Sequence, residues 1–216
     1  MALQFRIIPV TAFEQNCSLI WCDETMDAAL VDPGGDIPKL QAAVNAAGVT
    51  VRQILLTHAH IDHAGATRDV ADLYQVPIVG PHADDLFWIE ALPAQSQMFG
   101  FPAAKAFIPD RWLQQGDRVA LGKRVLEVIH TPGHTPGHVV FFETSARLAF
   151  VGDVLFQGSI GRTDFPRGDY KTLVHSIREK LFPLGDDVAF VPGHGDMSTF
   201  GDERRSNPFV ADHRFG

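Results

Sequence analysis

Cysteine is nearly missing from this chain, with two in 216 residues. Cys17 and Cys22 stand five apart in one strand-like stretch, which points them to opposite faces and argues against a mutual disulfide. They read as small core residues. Positive charge is also scarce: 18 Lys and Arg against 26 Asp and Glu give a net charge of −8 and a pI near 5.6. A broad nucleic-acid or membrane surface draws on clustered cations, so neither partner is expected. No run of about 18 apolar residues occurs. Met1-Ala2-Leu3-Gln4-Phe5-Arg6 lacks the basic segment, apolar core and small-residue cleavage site of a secretory leader. A cytoplasmic location is the expectation. What the chain does have is apolar content, 45% over its length, and residues 1–216 are expected to form a single domain around one large core or two close-packed halves.

Against that background, Thr57-His58-Ala59-His60-Ile61-Asp62-His63 packs four potential metal ligands into six residues. It follows Val51, Ile54, Leu55 and Leu56, an apolar run of strand length. His58 is therefore expected just past the carboxyl end of a buried strand, where open α/β sheets place ligands. If residues 58 to 62 are extended, the period of two sends His58, His60 and Asp62 to one side, while His63 begins the next segment. One such histidine alone reads as a packed or capping imidazole. Three imidazoles and a carboxylate crowded together repel when the histidines are protonated, and a bound cation relieves the repulsion.

The rest of the chain alternates strands and helices. Leu3 to Val10, Cys17 to Cys22 and Ala28 to Val31 predict a meander broken by turn-prone Glu14-Gln15-Asn16 and ended by Asp32-Pro33-Gly34-Gly35. Asp36 can cap a helix carrying Ile37, Leu40 and Val44, which stops at Gly48. Ala64 to Tyr74 reads as helix, Pro77 to Val79 as a short strand, and His82 to Met98 as helix broken near Pro93. Phe99 to Asp110 is loop-like, and its aromatic residues could equally roof a pocket or pack plainly. Strands follow near Arg118 to Leu121, Val125 to Ile129, Val139 to Glu143 and Leu148 to Val151. From Asp169 a helix carries Tyr170, Leu173, Val174, Ile177 and Leu181 on one stripe, with His175 structural. Val188 to Val191 is the last strand. Composition and pattern give a layered α/β fold, with two sheets face to face and helices outside.

Three more loops at strand ends carry ligand types beside glycine: Thr131-Pro132-Gly133-His134, Gly152-Asp153 and Pro192-Gly193-His194. Glycine there permits the tight turns that aim a side chain into a shared cleft. In this order, Asp32, His58-x-His60-x-Asp62-His63, His134, Asp153 and His194, the chain resembles the metallo-β-lactamase superfamily over nearly its whole length. The resemblance implies a four-layer αββα sandwich with a metal site along one edge. It further implies that His58, His60 and His134 hold one ion, that Asp62, His63 and His194 hold a second, and that Asp153 bridges the two. Asp32 would support the ligand loops. Two divalent ions about 3.5 to 4 Å apart lower the pKa of water from 15.7 toward about 7, so no Ser or Cys nucleophile is required. The bridging hydroxide would attack, with Asp62 orienting it and taking its proton. Zinc comes first among the metals, with iron and manganese also suited to such donors.

Within the superfamily, single residues discriminate. The best-known β-lactamases carry Cys where this chain has Asp153 and are exported, flavin-dependent relatives have Glu in place of His60, and the nucleases add domains and basic surface. The loop Phe156-Gln157-Gly158-Ser159-Ile160-Gly161-Arg162-Thr163-Asp164-Phe165 resembles that of glyoxalase II-like hydroxyacylglutathione hydrolases of the short bacterial type. That resemblance implies cleavage of a small-molecule thioester, a glutathione conjugate such as S-lactoylglutathione, with Arg162 as substrate contact. Two departures stand out: only 22 residues follow His194, and Asp196 replaces the Tyr of the longer enzymes. The tail Glu203-Arg204-Arg205-Ser206-Asn207-Pro208-Phe209 could return two cations toward the cleft, but reads first as a solvated helix face. One rival is a persulfide dioxygenase with a single iron on His58, His134 and Asp153. Another is a non-catalytic metal-binding module, which the ligand set disfavours because a structural site is usually closed by four ligands. His138 reads as the opening of a strand and not as a ligand, and His82, His130 and His213 are unassigned. Oligomeric state is not legible.

Overall fold

Strands whose alternate residues are apolar on both faces must be covered twice, and the computed structural model, which describes residues 2–215, covers them twice. β1 (Leu3–Val10), β2 (Gln15–Cys22) and β3 (Asp27–Val31) run antiparallel as predicted. After helix α1 (Ile37–Ala47), β4 (Thr50–Leu55) joins β3 in parallel. Helices α2 (Ile61–Ala64) and α3 (Thr67–Tyr74) precede β5 (Ile78–Val79), which closes a sheet of order β1-β2-β3-β4-β5. Two helices, α4 (Leu86–Glu90) and α5 (Leu92–Phe99), lead toward the second sheet. That sheet begins with β6 (Arg118–Leu121), β7 (Arg124–His130), β8 (Val139–Glu143) and β9 (Leu148–Gly152). A small hairpin of β10 (Leu155–Phe156) and β11 (Ser159–Ile160) and helix α6 (Tyr170–His175) intervene. β12 (Ala189–Pro192) and β13 (Ser198–Thr199) complete the order β13-β12-β9-β8-β7-β6, and α7 (Phe200–Ser206) follows.

The period of two sorts the core into three seams. Ala28 and Leu30 of β3 face outward onto Leu40 and Val44 of α1 and Val70 of α3. Ala29 and Val31 face inward, where they join Val139, Phe141 and Phe150 of the other sheet. Val140 and Phe142 turn outward again, onto Leu173 and Ile177. Phe141 is fully buried and Phe150 is 2% exposed, and side chains of that kind each contribute roughly 1.5–3 kcal/mol on burial. The result is helix, sheet, sheet, helix: the αββα sandwich.

Several local expectations are corrected. Asp36 occupies the position before α1, but its carboxylate accepts from Thr11 N at 2.9 Å and makes no cap to the helix. Helix expected over 64–74 divides into α2 and α3, and the one over 82–98, which breaks between α4 and α5 close to Pro93 as expected, opens with a 3-10 turn (Ala83–Asp85). The helix from Tyr170 passes into a π-helical turn over Ser176–Leu181. Cys17 and Cys22 are both buried and unbonded. No described helix is long and apolar enough to cross a membrane.

Candidate metal centre

β3 and β4 run parallel, as do β9 and β12, and β7 runs with β9 because each is antiparallel to β8. Within each sheet these carboxyl ends therefore share an edge, and Asp32, His58, His134, Asp153 and His194 all follow those ends. His58 is fully buried and His60 is 8% exposed. The predicted extended run stops at His60, because α2 begins at Ile61, whose N–H donates to Gln95 Oε1 at 3.0 Å. A distant side chain thus satisfies the first orphan donor of the helix. Asp62 and His63 sit on this helical turn, and not on an extended strand.

Donor atoms of His58, His60 and His134 lie within 4.8 Å of one another, and those of Asp62, His63 and His194 do the same. Asp153 lies between the two groups. Its Oδ1 is 3.2 Å from His63 Nε2, and its Oδ2 is 3.6 Å from His134 Nε2 and 3.7 Å from His194 Nε2. Asp62 Oδ2 is 3.1 Å from His194 Nε2. All seven residues named from sequence converge here. Two glycines make room for them: Gly152 takes φ +50 just before Asp153, and a Cβ on Gly193 would collide with Asp153 Oδ1.

The outer nitrogens of the histidines are tied to acceptors. Nδ1 of His134 donates to the Arg162 carbonyl at 2.7 Å, that of His194 to the Phe13 carbonyl at 3.1 Å, and that of His63 to Asp32 Oδ2 at 2.9 Å. Because those oxygens can only accept, each Nδ1 carries a proton and each Nε2 is the nitrogen turned inward. Thr57 Oγ1 donates to Asp32 Oδ2 at 2.6 Å, which frees its oxygen to accept from His58 Nδ1 at 3.0 Å. Asp32 also accepts from Thr57 N at 2.7 Å, so its carboxylate is fully engaged behind the site although it lies close to His58 and His63. His60 is turned the other way, with Nδ1 2.9 Å from His134 Nε2.

These atoms fit a cation. His58 Nε2 and His60 Nε2 are buried without a hydrogen-bond partner, a state that ordinarily costs about 1–3 kcal/mol per group. Burial, reinforced by the neighbouring rings, pushes His58 well below the usual histidine range. At His63 burial also disfavours the charge, yet Asp153 and Asp62 override it and hold its pKa well above normal. Burial would raise Asp153, but His63, His134 and His194 bring it far down. The cluster sets imidazoles that resist protonation, such as His58, beside a carboxylate that stays ionised and draws positive charge onto His63, the donor chemistry of divalent metal ions.

Residues 10–194 match the family profile described as the Metallo-beta-lactamase superfamily. The chain belongs to this superfamily. A Haemophilus influenzae protein named hydroxyacylglutathione hydrolase GloC is 51% identical over 96% of this chain and 98% of its own length. Among solved structures, the BLEG-1 B3 metallo-beta-lactamase gives a TM-score of 0.88 at 37% identity, covering 96% of this chain and 99% of that one. TTHA1623 in a di-iron-bound form gives 0.87 at 36%, covering 95% and 100%.

Within this superfamily member, three further residues brace the site, and no local pattern in the sequence marks them. Asp85 is fully buried and accepts from Ala59 N at 3.1 Å, Thr135 Oγ1 at 2.9 Å and Gly137 N at 2.6 Å, joining the His58 loop to the His134 loop. Burial pushes its pKa up to about 7. His138 belongs to neither donor group, in line with its reading as a non-ligand, but its Nε2 accepts from Asp153 N at 3.1 Å. Asn16, from the turn-prone stretch, lies in β2 and donates to the Pro192 and Gly195 carbonyls at 3.1 and 2.9 Å, on either side of His194. His82 and His130 stack on each other at 4.4 Å, away from these groups.

A cavity of about 900 Å³ opens onto the centre, with His60, Asp62, His134, Asp153 and His194 in its wall. Arg162 lines it, with its guanidinium held by both oxygens of Asp164 at 2.9 and 2.7 Å. Phe99 reaches the cavity, whereas Phe107 is buried in the core, so only the start of the 99–110 loop forms part of its wall. Arg204 pairs with Asp212 and Arg205 with Asp202 on the face of α7, and neither lines the cavity.

Proposed function

We propose that this protein is a cytoplasmic, single-domain, binuclear metallohydrolase that cleaves the thioester of a glutathione conjugate such as S-lactoylglutathione. The observation that carries the reading is Asp153, a buried carboxylate shared between two triads of donors. The 51% identity to a protein named hydroxyacylglutathione hydrolase supplies the substrate class. In this reading His58, His60 and His134 would hold one ion and Asp62, His63 and His194 the other, with Asp153 placed to serve both. Ions so bound supply Lewis acidity and a water whose pKa falls from 15.7 to about 7.

The remaining work falls to the chain itself. Asp32, Thr57 and the carbonyls of Phe13 and Arg162 fix the imidazoles before substrate arrives, which limits reorganisation during reaction. Asp62, 8% exposed at the cavity wall, takes up the proton released by the attacking water. Trp88 and Phe165 stand 4.6 and 4.8 Å from the His60 ring and shield that side from bulk water. A thiolate leaves without strong acid help, so the wall need not supply a general acid. Arg162 is the cation that meets the glutathione portion.

Metal content of natively purified protein, measured beside S-lactoylglutathione hydrolysis, tests this. Two ions per chain and thioester cleavage are expected. One iron with oxygen uptake on glutathione persulfide and no thioester cleavage sinks the reading. Zinc is the first choice of metal, and the di-iron form of TTHA1623 makes iron its principal competitor. A β-lactam is the counter-substrate, since BLEG-1 is described as a B3 metallo-beta-lactamase, and it is expected to turn over poorly.

A further inference from the structure

We propose that the cavity selects its thioester by an apolar acyl group larger than lactoyl, aromatic or of medium chain length, rather than by the carboxylates of glutathione; this rests on the thioesterase reading for its chemistry. The cavity, at about 900 Å³, falls in the size range of pockets that enclose most of a drug-sized ligand. Phe13, Trp88, Met98, Phe99, Ile160 and Phe165 line it. Lactoyl is a three-carbon group bearing a hydroxyl, and glutathione offers carboxylates, amides and an ammonium. Neither presents the apolar surface that six such side chains would desolvate.

The rim points the same way. Met98 is 76% exposed and Phe13 and Phe99 are 45% exposed, so three large apolar side chains meet water around one opening, the pattern of a ligand-binding patch. They are not loosely placed, because Phe13 packs edge-to-face on Phe99 at 6.1 Å and on Phe101 at 5.1 Å. Among the described residues lining the cavity, Arg162 is the one Lys or Arg side chain. Its guanidinium already faces the Asp164 carboxylate and lies over the Phe165 ring at 4.5 Å from the centroid. A glutathione carboxylate must compete with Asp164 for an exposed cation, so it gains little, whereas each methylene buried against the rings gains fully. The step itself balances as hydrolysis: water oxygen bonds to the acyl carbon, the C–S bond breaks with its electron pair on sulfur, and the products are a carboxylic acid and a thiol.

Calorimetric titration of the metal-loaded protein with S-alkylglutathiones, from S-methyl to S-hexyl, reads the preference without turnover. Kd is expected to fall severalfold per methylene, up to roughly fourfold. In parallel, kcat/KM is measured for lactoyl, hexanoyl and phenylacetyl groups carried on glutathione and on N-acetylcysteamine. A rise of about tenfold or more from lactoyl to phenylacetyl is expected, with the carrier thiol altering it far less. Met98→Glu, at an exposed rim position, should flatten both series while leaving the fold intact. Flat series in the wild type overturn the proposal even if S-lactoylglutathione is hydrolysed well. A steep thioether series with no thioester cleavage removes the thioesterase and leaves the apolar selectivity standing. Flat series together with a dimer that Met98→Glu dissociates assign the rim to a second copy of the chain instead.

Discussion

From the first sheet the site receives four donors within six residues, His58 to His63, delivered by the end of β4 and the helical turn after it. From the second sheet it receives His134, Asp153 and His194, each at the end of a different strand. The first group is set by local chain geometry and braced by Asp32 and Thr57 directly behind it. The second exists only once β7, β9 and β12 lie in register. Half of the centre is thus a property of a segment, and half a property of the whole fold.

The most severe way to break that relation is Asp153→Asn, which removes the carboxylate where the two groups meet. A fall in kcat of about 10² to 10³ or more is expected, on the scale of losing one aligned electrostatic group. Bound metal should drop from two ions toward one by elemental analysis. Unchanged stoichiometry would separate Asp153 from the metal and undo its bridging role.

Asp85→Ala attacks the seam between the halves instead. It leaves the donors at Ala59, Thr135 and Gly137 unmatched, and a loss of several kcal/mol in denaturant unfolding is expected, at about 1–3 kcal/mol for each buried donor left unpaired. The group also has a pH signature. Burial raises the folded pKa to about 7 from 3.8, so its contribution to stability is greatest below about pH 4 and is lost as pH rises toward 7. The difference in stability between wild type and variant should therefore shrink from pH 4 to 7. A difference that grows over that window sinks this account of the group.

How much of this was legible follows the same division. His58 to His63 could be read because the donors are contiguous, and the three lone ligands because each sits beside glycine at a strand end. The bracing residues could not. Asp85 is an ordinary acidic residue in a 3-10 turn, Asn16 lies in what reads as a turn, and Gln95 starts α2 from a helix far along the chain. Periodicity reports which face is buried, but it is silent on hydrogen bonds between segments distant in sequence. The extended reading of Asp62 failed for that reason, and so did the single helix expected over 64–74.

His138→Ala should act more mildly, because it withdraws an acceptor from the Asp153 amide without touching a donor atom. A tenfold to hundredfold loss in metal affinity or activity is expected, as is usual for groups that orient a ligand. Competition with a chromophoric chelator measures it. An unaltered affinity would make His138 a packing residue only.

Removing metal with a chelator sharpens the contrast between the halves without mutation. Loss of bound ions withdraws stabilisation of about 2.7 kcal/mol when they are present at a hundred times Kd. Amide exchange should then rise more in residues 193–196 than in 57–64, because the amides of Thr57, Ala59 and Ile61 keep their side-chain acceptors on Asp32, Asp85 and Gln95. Equal increases would show that the first group is no more self-supporting than the second.

The smallest effect belongs to the tail. Arg204→Ala combined with Arg205→Ala removes two cations that pair with Asp212 and Asp202 at the surface of α7, outside the cavity. Exposed pairs of this kind are screened by water and contribute little. KM for a glutathione thioester should stay the same, whereas Arg162→Ala, inside the wall, should raise it modestly. Were the double variant to raise KM more than Arg162→Ala, substrate charge would be read beyond the strand ends, and the apolar wall would share selection with α7.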